Sequence, residues 1–279
     1  MIPEQLTQGQ FDTVYNFLSL AIAAQLFTTI FLLASQRRVL PRYRQALVIS
    51  ATVTGIAAYH YFRIFDSFRH AFTTEAAGGR GTYVQAAGES FNEGYRYVDW
   101  LLTVPLLLTE LVVVLALAKK LQASLLTRLI PASALMIALG YPGEISGDNM
   151  TRNVWGLLST IPFLYILYVL FVELTKSLDR QPESVKSTVS NLRILLFATW
   201  GVYPIAYLLP IYFGGGGADA WVGKQIGYSL ADILAKCLYG LLIYKIARLK
   251  SYADDPNFAA EEGHHEHDQV VVTSRGVTA

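Results

Sequence analysis

Charged residues in this chain gather in short clusters, and between the clusters run stretches of about 20 mostly apolar residues, enough to carry a helix across roughly 30 Å of hydrocarbon. Seven such runs lie near residues 14–35, 46–68, 95–118, 121–141, 154–174, 192–213 and 221–247. Arg128 cuts into the fourth and leaves only 129–141 uncharged, so that run counts as a span through its neighbours. A soluble core of 279 residues would need a charged shell, whereas here 15% of residues are charged and 53% are hydrophobic. Continuous apolar runs also argue against a membrane barrel, whose strands alternate over segments of about ten residues. The spacing predicts an all-α membrane protein with seven transmembrane helices.

Orientation follows from the cations, because cytoplasmic connections retain lysine and arginine. Fifteen of the 22 lie in the first, third and fifth connections and the C-terminal tail, among them Arg37, Arg38, Lys119, Lys120, Lys176, Lys186, Arg248 and Lys250. Arg63, Arg69, Arg80, Arg96, Arg152 and Lys224 fall on the other side, and Lys236 stands alone in the middle of the seventh run. The N-terminus is therefore read as outside and the C-terminus as cytoplasmic. The leader, 1–13, has no positive n-region and no small-residue cleavage site, so the first helix is expected to serve as the insertion signal. A formal net charge of +1 offers no basic field for nucleic acid, and the single Cys237 can form neither an internal disulfide nor a cysteine-based metal site.

The chain divides into an external segment 1–13, a helical domain 14–250 and a polar cytoplasmic tail 251–279. Residues 73–93, with Gly78, Gly79, Gly81 and Gly88, are too many for a tight turn and are read as an external hairpin; 214–217 is read as a flexible external turn. His264, His265 and His267 in the tail belong to a polar disordered segment rather than to a metal site. No internal repeat is visible, which argues against inverted-repeat transporters.

Function must lie in the ionisable groups left inside the membrane. Each such group costs about 2.5 to 3.5 kcal/mol at a helix centre, so each calls for a partner or a role. Asp232 and Lys236 stand four residues apart on one face of the seventh helix. Arg96, Asp99, Thr103 and Glu110 follow one another on the third, with Glu110 about 16 Å further in than Asp99. His60, on the second helix, falls near the depth of Asp99. The order by depth is a column: Glu110 inside, an amine at the centre, two carboxylates and a histidine just outside, then an arginine. That is the layout of a proton wire with a switch in the middle. A desolvated lysine amine is also a good nucleophile towards an aldehyde, and the resulting cation would find its counterion in Asp99 or Asp232. Taken alone, Lys236 and Asp232 could instead form a structural salt bridge, and Glu110 a neutral hydrogen-bonded acid.

At these residues the chain resembles the microbial (type 1) rhodopsins. RYVDWLLTVPLLLTE from Arg96, WGVYP from Trp200 and ADILAKCLYG from Ala231 match in combination, and the resemblance covers about residues 10 to 250. The nearest branch is that of proteorhodopsins and xanthorhodopsins, whose outward proton pumps carry Asp, Thr and Glu at the positions of Asp99, Thr103 and Glu110. The resemblance implies all-trans retinal on Lys236 as a protonated Schiff base, with Asp99 as counterion and proton acceptor and Asp232 as second counterion. Glu110 would be the cytoplasmic donor, His60 the partner of the acceptor and Arg96 the gate to the exterior. Trp100, Trp200, Tyr203, Pro204 and Tyr207 would line the chromophore, with Leu107 at the colour-tuning position.

Tyr207 and Gly156 each replace a tryptophan of the archaeal pumps, and in xanthorhodopsins that glycine opens a window for a carotenoid antenna. The archaeal pair of external glutamates is missing, and the last external connection offers only Asp219 and Lys224, so the resemblance names no proton-exit residue. It implies a multi-pass protein of the plasma (inner) membrane that moves protons and assembles as a homo-oligomer, a pentamer first. A sensory rhodopsin signalling to a transducer is the alternative, and Glu110 discriminates against it.

Overall fold

The computed structural model describes residues 2–74, 81–179, 181–212 and 217–262. Among these, seven long helices form one bundle: α1 (Gln8–Ala34), α2 (Pro41–Ala71), α3 (Gly94–Val114), α4 (Lys119–Ile145), α5 (Asn149–Tyr168), α6 (Glu183–Tyr212) and α7 (Ala218–Asp254). A π turn (Val169–Glu173) and a last α turn (Leu174–Ser177) prolong α5, and a short α8 (Pro256–Glu261) follows α7. Helices α1, α3, α4, α5 and α7 are each long and apolar enough to cross a membrane. The other two, of 31 and 30 residues, have the length; in α2 polar residues such as Thr54, His60, Arg63 and Asp66 dilute the apolar run.

Local chemistry sets the helix starts. The Thr7 hydroxyl accepts from the Gln10 amide while the Gln10 side chain accepts from the Thr7 amide, a reciprocal cap on α1. Pro41 opens α2, where its missing N–H costs nothing. The carboxylate of Asp148 accepts from the Thr151 amide at 2.7 Å and starts α5. Prolines 105, 131, 142 and 162 lie inside helices, which a membrane bundle tolerates because neighbouring groups satisfy the freed carbonyls.

Packing is inverted relative to a soluble domain. Large apolar side chains face outward, Leu157, Phe27 and Ile161 being 70%, 67% and 66% exposed, while Arg96, Asp99, Thr103, Glu110, Asp232 and Lys236 are buried. Helix α7 touches α1, α2, α3 and α6 and so closes the bundle around its own polar residues.

At the N-terminal face a three-stranded antiparallel sheet, in the order β1-β3-β2, joins β1 (Gln5–Thr7), β2 (Phe72–Thr74) and β3 (Thr82–Gln85). The hairpin expected within 73–93 is present as β2 and β3; the N-terminal strand that completes the sheet was not foreseen. Phe11 stacks on Tyr83 at 3.8 Å and ties this cap to α1, and Gly81 takes the left-handed φ of 101° that leads into β3.

Among the boundaries that differ from the sequence reading, three bear on the site or the caps. Helix α1 begins at Gln8, inside the segment read as external. Helix α3 ends at Val114 rather than 118, because Ala116 adopts a φ of 48° and Lys250 and Gln181 bond the freed carbonyl of Leu115. Helix α7 begins at Ala218, so Lys224 is not a loop cation but a buried helix residue, 2% exposed. Most of the 214–217 turn and the histidines of the tail lie outside the described residues.

Candidate functional site

Helix α7 loosens into a π segment at Ile233–Leu238, and Lys236 projects from it into the bundle centre. Its ammonium donates to Asp232 Oδ1 at 2.9 Å and to Asp99 Oδ2 across on α3, and all three side chains are 1% exposed. The two carboxylates are not equivalent. Asp232 also accepts from Tyr61 Oη at 2.7 Å, Tyr203 Oη at 2.6 Å and Trp100 Nε1 at 3.1 Å. Among the described residues the Asp99 carboxylate accepts only from Lys236, and its Oδ1 is buried with no hydrogen-bond partner. His60 Nδ1 stands 3.9 Å from that atom but lies 3.0 Å from the Ile56 carbonyl, so it flanks Asp99 without bonding to it. Thr103 Oγ1 donates to the backbone carbonyl of Asp99 at 2.8 Å and steadies that turn of α3.

Towards the N-terminal face Arg96 joins this centre to a second cluster. Its Nη1 donates to Tyr61 Oη at 3.0 Å and its Nη2 to Gln225 Oε1 at 2.9 Å. Gln225 in turn donates to Glu93 Oε1 at 3.2 Å. Lys224 bridges Glu93 and Glu144 at 2.9 and 2.8 Å. Asp219, the other group expected outside, accepts from Gln10 at 2.6 Å. Tyr61, Gln225, Glu93 and Glu144 were missed by sequence reasoning, since nothing in a single helical run says which polar residues of different helices meet. Lys224 carried a signal: it falls inside the seventh apolar run.

Towards the C-terminal face Glu110 is fully buried, and among the described residues neither of its carboxyl oxygens has a hydrogen-bond partner by geometry. Ser50 of α2 stands beside it. Among the described residues no cation bonds to Glu110, unlike Asp99 and Asp232.

A cavity enclosing about 870 Å³ of atom-free space, its mouth included, opens between α3, α4, α5, α6 and α7 with Lys236 and Asp232 in its wall. Trp100, Leu107, Trp200, Tyr203, Pro204, Tyr207 and Gly156, all singled out from sequence, line it, together with Tyr97, Met136, Gly140, Ser159, Thr160 and Phe163, which were not. Trp100 packs against Tyr203 and Tyr228 with ring centroids 5.0 and 5.2 Å apart. Tyr207 Oη donates to the Arg152 carbonyl at 2.8 Å. A Cβ on Gly143 would lie 2.3 Å from that hydroxyl, and one on Gly156 would lie 3.4 Å from the Tyr207 ring. The glycine whose bareness Tyr207 requires is thus Gly143, while Gly156 faces the ring edge at ordinary contact distance. One primary amine in a mainly aromatic and aliphatic wall, with carboxylates at hand, fits a long apolar aldehyde.

The family model described as bacteriorhodopsin-like protein matches residues 12–249. A green-light absorbing proteorhodopsin of Gamma-proteobacterium EBAC31A08 is 31% identical over 229 residues, covering 82% of this chain and 84% of that relative. Two solved structures share 46% identity and cover 91% of this chain and 99% of their own: thermophilic rhodopsin, with a TM-score of 0.85, and xanthorhodopsin, described as a light-driven ion pump with dual chromophore, with a TM-score of 0.84.

Proposed function

Since the chain belongs to the bacteriorhodopsin-like family, the microbial (type 1) rhodopsins, we propose that it is a light-driven outward proton pump carrying all-trans retinal on Lys236. One observation carries this reading: a single buried amine faces two carboxylates of unequal bonding, with a third, unpaired carboxyl on the far side. Trp100, Leu107, Trp200, Tyr203, Pro204 and Tyr207 would hold the chromophore. When bound, it supplies light absorption and an isomerisation that redirects the proton on the lysine nitrogen.

The chain's own residues do the rest. Asp232, held by three donors besides Lys236, keeps its charge as the fixed counterion, and Asp99, with one oxygen free, takes the proton from Nζ. Thr103 orients that turn, His60 adds a polar neighbour to the acceptor, and Arg96 stands between the carboxylates and the N-terminal face. Glu110 holds its proton in the resting state, because a carboxylate there would be buried with no cation beside it among the described residues, and returns it to Nζ from the C-terminal side. With the N-terminal face outside, as the cation distribution argues, net transport is outward. The domain limits, plasma-membrane location and homo-oligomeric assembly, a pentamer first, belong to the same reading.

Gly156 supports a carotenoid antenna as an addition to this pump, because it sets no side chain against the Tyr207 ring where xanthorhodopsins, which the chain resembles, open a window for one. Adding a carotenoid should then give a second absorption band that drives the same photochemistry, and Gly156→Trp should remove it. A carboxyl at Glu110 favours pumping over sensing.

The test is direct. All-trans retinal added to membranes from expressing cells should give a colour that hydroxylamine bleaches in light. Illumination of those cells should acidify the medium, and a protonophore should abolish the change. Colour without acidification would favour the sensory reading, and no colour at all would sink both.

A further inference from the structure

We propose that Gln25 of α1 is a positioning residue for Lys236, holding from behind the π segment that carries the amine; this rests on the chromophore-binding reading above. The sequence puts Gln25 where an apolar side chain belongs. The buried stripe of α1 is Phe11, Val14, Leu18, Ala21, Gln25 and Leu32, at helical spacing, and Gln25 alone in it is polar. Leucine or methionine would fill the same place with no amide to desolvate, and a buried amide is costly for each group left unbonded. Gln25 is 0% exposed, and among the described residues its Oε1 has no hydrogen-bond partner. The other end of the amide is where this burial is used: Nε2 donates to the backbone carbonyl of Asp232 at 3.3 Å.

Asp232 is the last residue before the π segment Ile233–Leu238. Tyr61, Trp100 and Tyr203 hold its carboxylate from α2, α3 and α6, whereas Gln25 holds its main chain from α1. Two further contacts fix the rest of the segment. Thr28, three residues along α1, stands beside the Cys237 thiol, and Tyr239, directly after the segment, donates through its hydroxyl to the Leu107 carbonyl at 3.0 Å. Gln25 is itself braced, because Thr29 Oγ1 lies 2.8 Å from the Gln25 carbonyl and 2.7 Å from Thr54 Oγ1 of α2.

Register is what this clamp controls. At the segment an amide reaches back five residues rather than four, as that of Tyr239 does to the Leu234 carbonyl. Four residues overrun one 3.6-residue α turn but fall short of a π turn, so a change of register swings Lys236 sideways past Asp232. The ammonium donates to Asp232 at 2.9 Å and across the bundle to Asp99, and such a swing strengthens one contact at the expense of the other. Transfer to Asp99 depends on that balance. Gln25 touches neither carboxylate group; it acts through the backbone between them and the amine.

The experiment compares wild type, Gln25→Met, Gln25→Glu and Thr29→Val as full-length, retinal-loaded proteins in lipid vesicles. Dark absorption spectra and flash photolysis are joined to solid-state nuclear magnetic resonance of the chromophore-linked lysine nitrogen. Gln25→Met, of similar length but with no donor, should shift that resonance and the absorption maximum in the dark. It should also slow the first transfer to Asp99 by up to about 10²-fold, the scale for a reacting atom held out of place. Gln25→Glu, protonated at this buried site and so again a donor, should restore the wild-type resonance. Thr29→Val, which loosens α1 from α2 but leaves the Asp232 carbonyl its donor, should leave the resonance where it is; a merely structural Gln25 would change thermal stability alone. In the wild type, isotope labels on glutamine and aspartate should show the Gln25 side-chain nitrogen in contact with the Asp232 carbonyl carbon, a measurement that requires no variant to fold. An unmoved resonance in a coloured Gln25→Met protein, an equal shift in Thr29→Val, or no contact between the labels would overturn the assignment while leaving the pump reading intact. A wild type that takes no colour from retinal would overturn the chromophore-binding reading, and this one with it.

Discussion

Asp99 and Asp232 share one lysine, yet the hydrogen bonds around them divide their work. Among the described residues three side-chain donors besides Lys236 point at the Asp232 carboxylate, and none points at that of Asp99. Removing the charge of Asp99 therefore removes both the proton's destination and one counterion of the cation. Asp99→Asn should abolish light-driven acidification and shift the absorption to the red, read by a pH electrode and a spectrum of the same membranes; normal pumping by this variant would refute the role. Glu110 bonds to neither Lys236 nor Asp99, so Glu110→Gln should leave the first transfer intact and slow recovery by about 10²-fold, the scale of a lost general acid. At this scale much was legible. Lys236, Asp99 and Glu110 stand out because ions are costly in a membrane, whereas Tyr61 and Gln225 are ordinary polar residues until the fold brings them to Asp232 and Arg96.

Among the helices, α7 and the α4–α5 corner shape the site. The four-residue spacing of Asp232 and Lys236 predicts one shared face, and their 2.9 Å bond agrees, but the π segment that begins between them left no mark in the apolar pattern. A π turn is a shift of backbone bonding that periodicity cannot register. The corner is similar. Gly156 drew notice as a departure from the archaeal pumps, while Gly143, which lies against Tyr207, read as one small residue among many. Gly143→Ala would drive a methyl group into the Tyr207 hydroxyl and break its bond to the Arg152 carbonyl, costing about 1–3 kcal/mol as an overpacked site. Tyr207→Phe removes the obstructing oxygen, so Gly143→Ala should cost less in the Tyr207→Phe background than alone. Thermal bleaching of the pigment in the four proteins of that cycle measures the coupling, and strict additivity would show that the two side chains do not meet.

For the molecule as a whole, apolar side chains outside and ions inside make the bundle a membrane protein, but they do not say which way it faces. That rests on the cations, and the fold moves one of them: Lys224, counted with the loops, is buried between Glu93 and Glu144. The count loses little, because Arg37, Arg38, Lys119, Lys120 and their neighbours still lie towards the C-terminal face, and removing Lys224 from the other side strengthens the asymmetry. Orientation decides the sign of transport, since the same proton path run in a reversed protein would alkalinise the medium. Cys237 is 6% exposed, so it gives little background to a membrane-impermeant maleimide, and Glu4 and Glu261 are exposed at the two faces. On intact cells Glu4→Cys should label and Glu261→Cys should not; after the membrane is opened both should. The reverse pattern would turn the bundle over, place Glu110 on the outer side and require the pump to run inward.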